Sequence, residues 1–161
     1  MKVLRLLDKY LEEYFLVFSL VVLVLVVFLQ VIMRYVFQNS LSWSEEFARY
    51  LFLWQIWIGA SFAAKKLRHL KVEALLNALS GKSRIILDLV ATIISIGFAV
   101  FLAYKSLEIT ILVNNTAQTT PALGIRMSIP YAAVPVGMIL MVFRLLQNFY
   151  FNVRKIGFRE E

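Results

Sequence analysis

SLSWSEEFARYLFLWQIWIGASFAAKKLRHLKVEALLNAL, residues Ser40–Leu79, is the stretch from which the fold can be read. Trp43, two acids and an arginine open it, an apolar run with Trp54 and Trp57 follows, and a basic cluster and a short amphipathic segment close it. Ser42 and Glu45 have the S-x-x-E spacing of a capping box, so the sequence predicts a helix starting at Ser42. That start decides the length. Tyr50–Ala64 alone is too short to cross a bilayer, whereas Ser42–Ala64 extends about 34 Å at roughly 1.5 Å per residue. Glu45 and Glu46 then occupy the first turn, where unpaired backbone N–H groups favour negative charge. Arg49 comes one turn later and can pair with Glu45 (i, i+4) or Glu46 (i, i+3). Trp43 falls at the water–lipid boundary that amphipathic rings prefer, while Trp54 and Trp57 offer surface for helix packing.

Working outward, composition agrees with a lipid solvent. The 161 residues suffice for one domain, 1–161, and 61% of them are hydrophobic. A mean hydropathy of +0.77 is too high for a soluble domain of this size. The net charge of +7 could suggest nucleic acid, but the charges cluster at the ends of apolar runs rather than forming a stripe on a polar face. Zero cysteines exclude disulfides, thiol catalysis and Cys-ligated metal clusters. His69 is the one histidine, too few for bis-His haem ligation and a poor start for a zinc site.

Upstream, Met1–Glu13 mixes Lys, Arg, Asp and Glu with leucines and reads as a short interfacial helix leading into the first span. Tyr14–Met33 is free of charge, and the span is placed at 14–37 with Arg34 near its end. Its apolar run is too long for a signal peptide. Gln30 is expected to form an interhelical hydrogen bond. Gln38–Leu41 turns the chain into the second span, 42–64. The resulting hairpin gathers Arg34, Glu45, Glu46 and Arg49 near one membrane face, where four charges need partners. Two uses are open: an electrostatic clamp on the hairpin, or contact with a partner subunit or lipid headgroup.

Downstream, His69 and Glu73 stand at i, i+4 and can hydrogen-bond at the interface. Val72, Leu75, Leu76 and Leu79 make one apolar face, so an interfacial amphipathic helix is placed at 70–79. Gly81-Lys82-Ser83 lacks the glycine and the preceding strand of a phosphate-binding loop and is a helix stop. The third span is placed at 85–107, with Ala91, Ser95, Ala99 and Ala103 as a small-residue packing stripe. Asn114–Leu123 reads as a loop containing Pro121. The fourth span, 128–150, has Pro130 in its first turn and Pro135 inside, where it should kink the helix. Ala133 and Gly137 are a second small-residue pair, and Arg144 can snorkel or meet Asp88. The fold class is thus an all-α integral membrane protein with four transmembrane helices plus the interfacial helix. Twelve of the 17 Lys and Arg residues fall in the N-terminal segment, Lys65–Arg84 and the tail, which predicts cytoplasmic termini.

Several blocks together carry a resemblance. R-Y-V-F at Arg34–Phe37, S-L-S-W-S-E-E-F-A-R-Y-L-F-L-W at Ser40–Trp54, R-H-L-K-V-E-A-L-L at Arg68–Leu76, T-P-A-L at Thr120–Leu123, and the I-P-Y and P-V-G segments occur in one order. In these blocks the chain resembles the small membrane (Q) subunit of tripartite ATP-independent periplasmic (TRAP) transporters. That resemblance implies a bacterial inner-membrane protein whose partners are a large membrane subunit, a periplasmic substrate-binding protein and phospholipids. It also implies sodium-coupled uptake of an organic anion, with sodium and substrate bound by the large subunit and no cofactor on this chain. Trp43, Glu45, Glu46, Arg49, His69, Glu73, Pro121 and Pro130 occupy its motif positions, with Glu73 standing where aspartate is usual. The residues themselves show no catalytic constellation and no broken helix at mid-depth, which argues for a scaffold over a carrier. The competing readings are a self-sufficient homo-oligomeric channel or exporter and a redox-enzyme anchor, the latter weakened by the single His.

Overall fold

The computed structural model describes residues 2–66 and 82–157, with side chains for 12–65, 87 and 89–150. Five helices follow one another: α1 (Lys2–Tyr35), α2 (Ser42–Lys66), α3 (Lys82–Asn115), α4 (Ser128–Tyr131) and α5 (Ala133–Gly157). No strand occurs among the described residues; the one extended feature is a bridge between Thr119 and Arg126. The interfacial helix expected at 70–79, with His69 and Glu73, lies outside the described residues.

Among the described residues, three stretches are long and apolar enough to cross a membrane: Glu12–Tyr35, Leu89–Asn115 and Ser128–Tyr150. The first corrects the expectation of a separate interfacial helix over residues 1–13. No break separates that segment from the span, so α1 runs unbroken for 34 residues and ends at Tyr35 rather than residue 37. Gln38, with φ of 52°, turns the chain there, and the Asn39 amide closes back on the Met33 carbonyl at 2.9 Å. The expected second span is not among the three. Its helix has 25 residues and starts at Ser42 as expected, but Glu45, Glu46, Arg49, Gln55 and Lys65 make it less apolar. α2 packs on both α1 and α5.

The helix that carries the third span covers 85–107 and continues beyond it. Lys105 and Glu108 do not end it, because they neutralise each other at 2.9 Å along the helix and α3 continues to Asn115. The contact face of α3 also differs from the Ala91–Ser95–Ala99–Ala103 stripe. A repeat of four drifts about 40° per step against 3.6 residues per turn, so only part of such a stripe can face one neighbour. Ser95 is exposed and its hydroxyl donates to the Ala91 carbonyl, whereas Thr92 and Ala99 are buried. Ala99 meets Met138 and Leu145 of α5, with Trp57, Ile96 and Ala103 around them.

α5 packs against both α2 and α3. The contact with α2 is close: a Cβ added at Gly137 would lie 2.6 Å from Trp57 Cβ and 2.7 Å from its carbonyl oxygen. Ala133, one turn earlier, is fully buried. Pro135 acts where the sequence predicts. It has no N–H for the Tyr131 carbonyl, and the helix is interrupted at Ala132, between α4 and α5. Ala132 keeps helical angles and the Val136 amide still reaches its carbonyl at 3.1 Å, so the interruption is a break in hydrogen bonding rather than a loop. The outer surfaces of the apolar helices remain bare. Val24, Leu25 and Phe28 of α1 are 59%, 60% and 62% exposed, a state compatible with lipid or a membrane partner and not with water.

Candidate functional site

The described polar side chains gather at the two ends of the bundle. At the end where α1 finishes and α2 begins, Glu45 turns across the hairpin. Its Oε1 accepts a hydrogen bond from Gln30 Nε2 at 2.7 Å and lies 3.7 Å from Arg34 Nη1. The expected interhelical bond of Gln30 is therefore formed. Glu45 consequently does not return to Ser42 to complete a capping box; the Leu41 carbonyl instead takes the Ser44 amide at 3.2 Å and the Ser44 hydroxyl at 2.7 Å.

Glu46 is buried and points the other way, toward the connection after α3. Its Oε2 accepts the backbone amides of Ala122 and Leu123 at 2.7 and 2.9 Å, and its Oε1 accepts the Tyr50 hydroxyl at 2.6 Å. The acceptor finds these donors because the connection is itself a closed turn. The Thr120 amide donates to the Ile125 carbonyl at 2.8 Å, the Ile125 amide to the buried Thr120 Oγ1 at 3.2 Å, and Gly124 takes a φ of +66°. Pro121 is exposed at its tip and Pro130 is buried where the chain re-enters the bundle. The Ser128 hydroxyl donates to Asn114 Oδ1 at 3.0 Å and ties the two sides of the connection together.

This arrangement corrects the expected pairing within α2. Both carboxylates are drawn away, one to α1 and one to the α3–α4 connection, and Arg49 has neither as a partner. It is exposed and makes no ion pair or hydrogen bond with any described residue. Trp43 is 41% exposed beside this end. Trp54 is half-buried in α2, and Trp57 joins the core against α5.

The opposite end holds a cluster that the sequence reading did not assemble. Glu12 of α1, 4% exposed, accepts from Arg144 Nε of α5 at 3.0 Å, and Lys65 Nζ of α2 stands 3.8 Å from its other oxygen. Arg144 also donates to Gln147 at 2.9 Å, and Asn148 donates to the Ala64 carbonyl at 2.9 Å. Arg144 therefore does not snorkel, and the Asp88 side chain expected as its partner lies outside those described. The available signal was a lone arginine inside an apolar helix, which demands a buried counter-ion; assigning Glu12 to a separate interfacial helix hid the answer.

Between the two ends Ser95 and Ser106 return their hydroxyls to their own helix, the buried Ser61 Oγ has no hydrogen-bond partner among the described residues, and Gln55 faces Ser19. Gln55 Nε2 donates to the buried Ser19 hydroxyl at 3.1 Å, and that hydroxyl donates to the Leu16 carbonyl at 3.1 Å. No group of three or more His, Cys, Asp and Glu able to hold a metal occurs among the described residues.

Residues 23–155 match the family described as tripartite ATP-independent periplasmic transporters, DctQ component. The chain is 32% identical over 153 residues to a TRAP transporter small permease protein of Haemophilus influenzae, covering 92% of this chain and 91% of that one. It is 31% identical over 159 residues to the sialic acid TRAP transporter small permease protein SiaQ of Vibrio cholerae, covering 97% and 88%. Against the isethionate TRAP transporter permease protein DctMQ of Oleidesulfovibrio alaskensis, identity is 27% over 157 residues, 94% of this chain but 25% of that protein.

Proposed function

The chain belongs to the DctQ family of TRAP transporters, and from that premise we propose that it is the scaffold on which a large membrane subunit takes up an organic anion. As a small permease subunit it is a component of a transporter and not an enzyme. Sodium and the anion bind the large subunit, and a periplasmic binding protein delivers the substrate. The chain lies in the bacterial inner membrane with both termini in the cytoplasm and α2 as a fourth span. Carboxylates and sulfonates are the favoured substrates, because the similar proteins are named for sialic acid and isethionate.

The observation that supports a scaffold is how the polar groups inside the bundle are used. A sodium site needs several convergent oxygens, and an anion site needs a cation or a free helix N-terminus at mid-depth. Here Gln30 is held by Glu45, and Gln55 by Ser19. The DctMQ relative supports a large partner, since the matching region is a quarter of that single chain.

Proteoliposomes test the proposal. The chain alone should show no sodium-driven uptake of a dicarboxylate, sialic acid or isethionate, and uptake should begin when the large subunit and binding protein are added. Gln30→Leu and Gln55→Leu should leave apparent substrate affinity within about twofold, since uncoupled positions change binding little. Uptake by the chain alone, abolished by those two replacements, would overturn the scaffold reading in favour of a small homo-oligomeric carrier.

A further inference from the structure

Among the described residues Arg49 is left without a partner by the same contacts that hold the hairpin together, and its depth makes that consequential. Glu45 meets Gln30 and Arg34 of α1, so it lies at the outer limit of the charge-free run Tyr14–Met33. Arg49 lies one turn further in, about 6 Å deeper at 1.5 Å per residue, level with apolar residues of α1. An exposed guanidinium at that level is costly in hydrocarbon unless an anion reaches it. Every described carboxylate near it is engaged elsewhere: Glu45 by α1, and Glu46 by Tyr50 and the amides of Ala122 and Leu123.

Arg49 is also not isolated on its helix. Glu45, Arg49, Phe52, Ile56, Ala60 and Ala63 recur at intervals of three and four residues and share one face. The buried positions Ser44, Glu46, Ile58 and Ser61 lie on other faces, Glu46 toward the α3–α4 connection, while Phe52 and Ile56 are 52% and 45% exposed. The open face thus runs from a charged outer end, through two large apolar residues, to a small-residue end where another helix can come close.

Resting on the scaffold reading above, we propose that this face of α2 seats a transmembrane helix of the large subunit. That helix brings an aspartate or glutamate carboxylate to Arg49. A lipid phosphate fits less well, because at headgroup level it would meet the Glu45 carboxylate first. A carboxylate carried by a helix arrives at the level of Arg49 itself. The pair forms away from water, where a two-pronged guanidinium–carboxylate contact fixes depth and rotation as well as affinity.

The test uses the full chain co-expressed with the large subunit of its own transporter. A photo-crosslinking phenylalanine analogue is placed at Phe52 or Ile56, with Phe28 and Ile94 on other exposed faces as controls. The expected result is a covalent adduct with the large subunit from Phe52 and Ile56, not matched at the controls. Arg49→Glu should recover about tenfold less large subunit, as loss of a desolvated charge pair predicts, and Arg49→Lys should recover most of it. Membrane levels of each variant, read by immunoblot, separate lost pairing from lost folding. Adducts with lipid alone or with a second copy of this chain, or full recovery with Arg49→Glu, would overturn the assignment. If the large subunit fails to co-purify even with the unaltered chain, the scaffold reading itself fails.

Discussion

Glu46 and Arg49 sit one turn apart in α2, yet the fold uses them in opposite ways. Glu46 supplies acceptors that the α3–α4 connection cannot provide for itself, receiving the Ala122 and Leu123 amides at 2.7 and 2.9 Å. Without it two backbone donors lose their partner, the costly direction of an unmade hydrogen bond. Glu46→Ala should therefore lower the thermal midpoint of the detergent-solubilised chain by several degrees, and Glu46→Gln, which keeps one acceptor oxygen, should lower it less. A midpoint unchanged by Glu46→Ala would show that the connection is held by Thr120 alone. Arg49→Ala should leave the same midpoint nearly unmoved, because no described residue pairs with it. Arg144 is the reverse of Arg49, a buried cation with a buried acid 3.0 Å away. Removing Arg144 leaves Glu12 only the longer Lys65 contact at 3.8 Å: Arg144→Met should cost about 3 kcal/mol, while the double replacement Glu12→Leu, Arg144→Met should recover much of it. Denaturant titration of the three variants in mixed micelles checks the sign of that coupling.

Among the elements, α5 determines how closely the bundle packs. Its contact with α2 depends on Gly137, where any side chain would collide with the backbone of Trp57 rather than with a movable side-chain tip. Gly137→Ala should therefore cost about 1–3 kcal/mol as an overpacked contact. Gly97 of α3 has nothing within 4 Å of an added Cβ, so Gly97→Ala should be neutral or stabilise by roughly 0.5–1 kcal/mol. Thermal midpoints of the two alanine variants, measured side by side, should move apart; equal shifts would mean that α2 and α5 do not approach as described. The break at Ala132 belongs to the same element. Pro135 removes the donor for Tyr131, and the short α4 carries Pro130 and the Ser128–Asn114 bond at the mouth of the bundle.

On the scale of the whole molecule, one end of the bundle is fastened by Glu45, Glu46 and the α3–α4 connection, and the other by Glu12, Lys65 and Arg144. In the topology proposed above, which rests on the basic excess in the sequence, the second end faces the cytoplasm. Gln118, exposed in the α3–α4 connection, then faces the periplasm. On this cysteine-free chain, Gln118→Cys should react with a membrane-impermeant maleimide added outside intact spheroplasts. Labelling only after lysis would invert the topology.

What the sequence alone determined was everything governed by local rules. The apolar runs fixed three spans, the Ser42 start fixed α2, Pro135 fixed the break before α5, and Ala133 with Gly137 marked a close helix contact. The spans follow from hydrophobic length, the break from a missing N–H and the close contact from a missing side chain, all local features of the chain. The Ser42 start, by contrast, came out although its capping box did not form. The W-S-E-E…R block together with R-H-L-K-V-E carried the family as well. Tertiary structure alone decided which charges pair. Glu45 at i, i+4 from Arg49 is a sound helical pair in isolation, but Gln30 and Arg34 on the next helix compete for the same oxygen, and the amides of Ala122 and Leu123 take Glu46. Glu12 meets Arg144 across 132 positions of sequence for the same reason. In a low-dielectric interior a buried charge goes to whichever partner desolvates least at its own depth, and depth is set by how whole helices stack.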